Sequence, residues 1–129
     1  MIISIDFDQT IAVDEFPNVG PAVPCAIKTI TSLHRDGHTL ILFTCREGQA
    51  LDNACEWMEE QGLLDLFAGI NEWPQCQIDK WGSDPRKIVG DVNIDDRNVG
   101  VPCIDFGGVR VVDWISVDNL IYLMVRGVI

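Results

Sequence analysis

Asp6 and Asp8 stand two residues apart at the end of an apolar run, with Thr10 two further on. Thr44 closes a second apolar run. Asp95 and Asp96 close a third, and Lys87 lies just before it. Four acids, two threonines and a lysine at three run ends make an acceptor-rich set with one balancing cation. Brought together, such carboxylates repel one another unless a positive charge sits among them. Their oxygens are hard ligands, so the ion they suit is Mg2+, which keeps several waters and takes one or two carboxylates plus a phosphate oxygen.

The elements that must position these residues are readable from pattern. Residues 2–7 form a short, β-branched run that predicts a buried strand. Residues 8–24 hold Asp14, Pro17, Gly20, Pro21 and Pro24, which predicts a loop or small hairpin. Ala26, Ile27, Ile30 and Leu33 recur at helical spacing, with Gly37 where a C-terminal cap belongs. Residues 39–44 predict a second buried strand. A second helix is expected from about Gln49 to Gln61, stopped by Gly62, and a short strand at 66–70. Residues 71–88 read as an irregular connection, 88–94 as a fourth strand, and either 103–106 or 109–112 as a fifth. A closing helix is expected over 120–126. Strands alternating with helices predict an α/β fold, a three-layer Rossmann-like parallel sheet with helices on both faces. Ligands bind outside the carboxyl ends of such strands, which is where the acids fall.

Composition narrows the setting. The chain has 129 residues, which suits one domain over 1–129. Hydrophobic residues make up 47% and charged residues 22%, a globular mixture. Nine basic residues against twenty acidic ones give a net charge of −11. That field disfavours nucleic acid and anionic membranes as partners. The five cysteines are odd in number and include no C-x-x-C pair, so free thiols in a reducing, cytoplasmic setting are expected. The N-terminal residues lack a basic segment, and no apolar run approaches the roughly 20 residues of a membrane helix.

The pattern h-h-h-D-x-D-x-T, then h-h-h-T, then Lys, then h-h-h-D-D resembles the haloacid dehalogenase superfamily of phosphotransferases. Its motifs span residues 2–96 in the family's order. The Phe16–Gly20 loop, Gly37-His38, T-x-R at Thr44–Arg46 and V-N-I-D-D-R-N at 92–98 resemble a small capless subgroup. The resemblance implies a Mg2+-dependent phosphomonoester hydrolase working through an aspartyl-phosphate. Asp6 would be the nucleophile. Asp8 would be the general acid and then base, and its carbonyl would join Asp6, Asp95 and Asp96 at the metal. Thr44 and Lys87, with backbone at Phe7 and Asp8, would bind the phosphoryl group. Gln9, Thr10 and Arg46 are candidate substrate contacts. Gln9 departs from the family, which often has glycine there.

Lys80 is a second candidate for the family's lysine; R-K-h-x-x-D-h-x-h-D-D favours Lys87. Gly90-Asp91 with Asp95 also fits a G-D-x-x-x-D variant of the last motif. Cys45 reads as packing, Arg97 as an ion-pair partner of the neighbouring acids, His34 and His38 as surface residues, and Trp73 and Trp81 as an apolar clasp. Only about fifteen residues separate Thr10 from the first helix, room for a flap at about 11–20 but no cap domain. An open site suits a phosphorylated small molecule or a macromolecular phosphoester. The alternatives are phosphotransfer to an acceptor other than water, a receiver-like phosphoacceptor module, and a catalytically silent metal or phosphate binder.

Overall fold

Four parallel strands form the centre of the molecule. The computed structural model describes residues 1–129. β1 (Ile2–Ile5) lies between β4 (Thr39–Leu42) and β6 (Val92–Ile94), and β5 (Phe67–Ile70) flanks β4. β1 and β4 are short and rich in β-branched and aliphatic residues because both faces are covered: Ile3, Ile5, Leu40, Ile41 and Leu42 are fully buried. The register places Ile5 beside Leu42 on one side and Ile94 on the other. The residues that follow these three partners therefore emerge at one edge of the sheet.

α1 (Ala26–Arg35) turns Ala26, Ile30 and Leu33 to the core, and α2 (Gly48–Glu60) turns Ala50, Ala54 and Met58. Both stripes have the expected helical spacing. The sheet is mixed with further structure that sequence pattern only partly exposed. β2 (Ala12–Glu15) and β3 (Asn18–Ala22) form an antiparallel hairpin, closed at Phe16–Pro17. β7 (Cys103–Phe106) and β8 (Val109–Val112) form a second one. The expectation of one strand in this stretch is thus corrected to two, outside the parallel sheet. Gly107 and Gly108, at φ 62° and 86°, make the two-residue turn that needs positive φ at both positions.

Three more expectations change. α3 (Gln75–Trp81) occupies part of the presumed irregular connection; none of its residues is buried, so it carries no apolar stripe to announce it. The fourth strand begins at Val92, because the Asp91 carboxylate and N–H both pair with the backbone of Ile2 (2.7 Å each) at the opposite end of β1 from Asp6. That placement removes Asp91 from the site and with it the G-D-x-x-x-D alternative. α4 (Trp114–Val125) starts six residues before its expected start.

The Asp113 carboxylate caps α4, accepting from the N–H groups of Ile115 (3.1 Å) and Ser116 (3.3 Å) and from the Ser116 hydroxyl (2.6 Å). The Ser116 hydroxyl, first among these donors, holds the Asp113 carboxyl below its ordinary value. Asp113→Ala is expected to cost about 1 kcal/mol at pH 7. A depressed folded pKa stabilises above the unfolded value and loses that contribution as pH falls. The deficit read by urea unfolding should therefore shrink below about pH 4; an equal deficit at pH 7 and pH 3 would refute the carboxylate cap.

No helix is long and apolar enough to cross a membrane.

Candidate functional site

Parallel pairing brings the acids together. Ile5 pairs with Ile94, and the Asp6 N–H donates to the Ile94 carbonyl at 2.9 Å, so Asp6 and Asp95 leave neighbouring strands side by side. Carboxylate oxygens of Asp6, Asp95 and Asp96 all lie within 4.8 Å of one another. Burial first, and then the charge of Asp95, push the Asp6 carboxyl up to about 7; hydrogen bonds from the Phe7 N–H and the Thr10 hydroxyl pull the other way. Burial and the Asp95 charge also raise Asp96. Arg97 and Arg110 offset this only in part at Asp96, so the three partly exposed residues crowd negative charge into one patch.

The donor set fits Mg2+ on its chemistry: three carboxylates, no histidine or thiol, and enough exposure for the ion to keep waters. The Asp8 carbonyl, the fourth expected ligand, accepts no backbone hydrogen bond from loops or turns around it.

Thr10 holds the cluster together. Its buried hydroxyl donates to Asp6 Oδ2 at 3.1 Å and accepts from the Asp96 N–H at 3.2 Å. Its carbonyl accepts the indole N–H of Trp114 at 2.6 Å, which ties α4 to the turn after β1. The expectation that Thr10 contacts substrate is corrected: it is fully buried and positions two carboxylates.

Arg46 is corrected in the same way, and its surroundings show why. A guanidinium has five N–H donors. Nε donates to Asp8 (2.9 Å to Oδ2 and 3.2 Å to Oδ1). Nη2 donates to Asp8 Oδ1 (2.8 Å) and the Asn18 carbonyl (2.8 Å), and Nη1 to the carbonyls of Pro17 (2.9 Å) and Ala50 (3.1 Å). All five donors are spent inside the protein, and the side chain is 1% exposed. None is left for a substrate. The rings of Phe7 and Phe16 lie on the guanidinium, 5.2 and 5.4 Å from its carbon.

Gln9 adopts a left-handed φ of 61°, and its side-chain oxygen accepts from the Asp14 N–H at 2.9 Å. It braces the first hairpin while lining a cleft of about 130 Å³ with Asp6, Asp8, Cys45, Asp95 and Arg97. Cys45 is exposed there, so it does not serve packing. Arg97 forms no ion pair; only its backbone N–H reaches Asp95, at 2.8 Å.

Lys87 lines a neighbouring cleft of about 200 Å³ with Asp6, Asp95 and Asn93. Lys80 lies on α3 with its ammonium 5.0 Å from the Trp81 ring. The indole N–H of Trp73 donates to the Lys87 carbonyl at 2.6 Å, so Trp73 anchors the backbone that carries this lysine. Trp81 is exposed and donates to its helix neighbour Gln77, so the two tryptophans form no clasp. Thr44 is buried at the end of β4. Its hydroxyl accepts the Arg46 N–H at 3.1 Å, and its own N–H donates to Asn71 at 2.8 Å. Phe7 is fully buried, with its N–H turned to Asp6 and its carbonyl accepting from residues 10–12. His38 meets the Met1 amino group at 3.2 Å, and the start of β1 is the far end of the sheet from the acids.

Two contributors escaped sequence reasoning. Arg110, on β8, donates to the Asp96 carbonyl at 2.5 Å. Asn93 accepts from the Ser4 hydroxyl beside the lysine cleft. Strand alternation marks Arg110 as outward-facing but nothing in the sequence places its hairpin against the acids.

No family model and no curated protein matches the chain. Among solved structures, a conserved protein from Bacteroides thetaiotaomicron matches with 36% sequence identity and a TM-score of 0.72, over 98% of this chain and 90% of that one. This chain belongs to that protein's family. The likeness covers nearly the whole of both chains.

Proposed function

We propose that the protein is a Mg2+-dependent phosphomonoester hydrolase with a three-layer, Rossmann-like, capless fold of the haloacid dehalogenase kind. One observation carries the reading: Asp6, Asp95 and Asp96 converge at the carboxyl ends of β1 and β6, and Lys87 lines the cleft beside Asp6. The motif order in the sequence supports it.

Mg2+ held by Asp6, Asp95, Asp96 and the Asp8 carbonyl would cancel carboxylate charge and draw electron density from a phosphoryl oxygen. Asp6 attacks phosphorus through one carboxylate oxygen, forming the O–P bond as the ester O–P bond breaks. The Thr10 hydroxyl keeps the other oxygen, Oδ2, turned aside. Lys87 balances the charge of the equatorial oxygens, and the Thr44 hydroxyl still has its proton to give them.

Asp8 serves the leaving oxygen and then the incoming water. Its Oδ1 is taken by two Arg46 donors. Oδ2 accepts only the Nε–H, so it is the oxygen with a lone pair free to carry the proton. Water attacks the aspartyl-phosphate with its proton passing to Asp8, which releases inorganic phosphate and restores Asp6. The substrate is a phosphorylated small molecule or an exposed phosphoester on a macromolecule other than nucleic acid, given the net charge of −11. Five free thiols suit the cytoplasm.

Hydrolysis of p-nitrophenyl phosphate with Mg2+ and with EDTA tests the proposal. Turnover that needs the ion supports it. Turnover of equal rate in EDTA, or none across a panel of sugar, nucleotide and peptide phosphates, would overturn it in favour of a silent binder.

A further inference from the structure

The first hairpin and the acid–base carboxylate are held by one side chain. Arg46 grips Asp8 with a bidentate fork on one side, and on the other it binds the carbonyls of Pro17 and Asn18 at the tip of β2–β3. A third carbonyl, Ala50 in the first turn of α2, fixes the guanidinium from below. Asn53, one turn further along α2, donates to the same Pro17 carbonyl at 3.1 Å but does not touch Asp8. The rings of Phe16, at the hairpin tip, and of Phe7 both lie against the guanidinium.

We propose that Arg46 is a positioning residue that makes the hairpin tip and the Asp8 carboxylate a single mechanical unit. Lifting the tip would strip two carbonyls from a buried guanidinium, which costs more than losing two exposed hydrogen bonds. It would also free the fork to rotate, and with it the Asp8 rotamer. A docked hairpin therefore holds Asp8 in one orientation over the acid cluster, and a raised hairpin does not. The planar fork is required; an ammonium could reach Asp8 or the tip, but not both in this geometry. The role of the orientation in turnover rests on the phosphomonoesterase reading. The linkage itself does not.

Site-resolved amide exchange by NMR tests the linkage without any substrate. Arg46→Met should speed exchange across residues 14–19 by about tenfold, with the β1 and β4 amides unchanged. Asp8→Ala removes no contact of the hairpin tip, yet it should also speed exchange there, by about threefold or more, because the fork loses its anchor. Unchanged tip exchange in folded Asp8→Ala would overturn the proposal, since a residue that merely docks the hairpin would not feel Asp8.

Kinetics with p-nitrophenyl phosphate and Mg2+ add the second readout. Arg46→Lys should lower kcat by about tenfold with KM changed less than about threefold, while Asn53→Ala, which leaves the Arg46 fork on Asp8 and on both tip carbonyls, should keep tip exchange and kcat within about twofold. Arg46→Lys matching wild type in both exchange and kcat would show that charge alone suffices and would also overturn the proposal. If the wild type turns over no phosphoester, the hydrolase reading falls and the two exchange results still decide the linkage.

Discussion

Asp6→Asn is expected to lower kcat for Mg2+-dependent phosphoester hydrolysis by about 10⁴-fold or more, and at the same time to make the metal-free protein harder to unfold at pH 8. The two effects have one cause. Asp6 sits where burial and the charge of Asp95 oppose its ionisation, a cost that a cation or a phosphoryl group brought to the same place would relieve. Asparagine is nearly isosteric. Its side-chain oxygen still accepts the Thr10 hydroxyl, so the turn after β1 keeps its shape. The amide has no nucleophilic carboxylate and no charge to repel Asp95 and Asp96. Parallel measurement of initial rates and urea unfolding checks both signs. A variant retaining a tenth of the activity would remove Asp6 from the chemistry, and a variant less stable than wild type in EDTA at pH 8 would show that the cluster is not strained by its charge.

The second large effect is a pH-dependent response to Mg2+. The Asp6 carboxyl titrates near 7 in the folded protein and near its ordinary 3.8 when unfolded. The folded state therefore holds this proton more tightly. Stability is fully present below about pH 4, falls as pH rises through 7, and levels off above it. The loss is on the order of 4 kcal/mol, and Asp96 adds to it in the same direction. Mg2+ competes with the proton for these oxygens and stabilises only the folded protein. At a hundredfold excess over its Kd it should raise Tm by on the order of 10 °C at pH 8 and by little at pH 5. Melting curves in EDTA and in Mg2+ at the two pH values give all four numbers. Equal Mg2+ shifts at pH 5 and pH 8, or a flat profile in EDTA, would contradict a metal centre built on Asp6.

Much of the site was legible because parallel strands deliver their carboxyl ends to one edge. Once 2–5 and 92–94 are neighbours, Asp6 and Asp95 must meet, and residue type alone then argues for a hard cation. Lys87 rests on the resemblance of R-K-h-x-x-D-h-x-h-D-D to the haloacid dehalogenase pattern. Arg46 was visible as a cation at a strand end, but its partners were not. Asp8, Pro17, Asn18 and Ala50 come from three separate segments, and only the folding back of the first hairpin closes them around the guanidinium. Thr10 was misjudged for a related reason: side chains at a tight turn are often consumed by the turn itself, and Gln9 also gives its side-chain oxygen to Asp14 although it lines the cleft. α3 was invisible because it buries nothing. α4 was shortened although its start carries both a cap, Asp113 with Ser116, and the buried spacing Trp114, Val117 and Ile121, because Ser116, Asp118 and Asn119 interrupt the apolar run there. Arg110 arrives on a hairpin outside the parallel sheet, and no periodicity encodes where such a hairpin leans.

The most direct test of the hydrolase account is chemical capture at Asp6. Wild-type protein mixed with p-nitrophenyl phosphate and Mg2+, quenched within a turnover and reduced with borohydride, should show the position-6 carboxyl converted to the alcohol in its N-terminal peptide. Conversion is expected at Asp6 alone, and none is expected when EDTA replaces Mg2+. Conversion at another carboxylate, or steady release of phosphate with no residue converted, would contradict the hydrolase account.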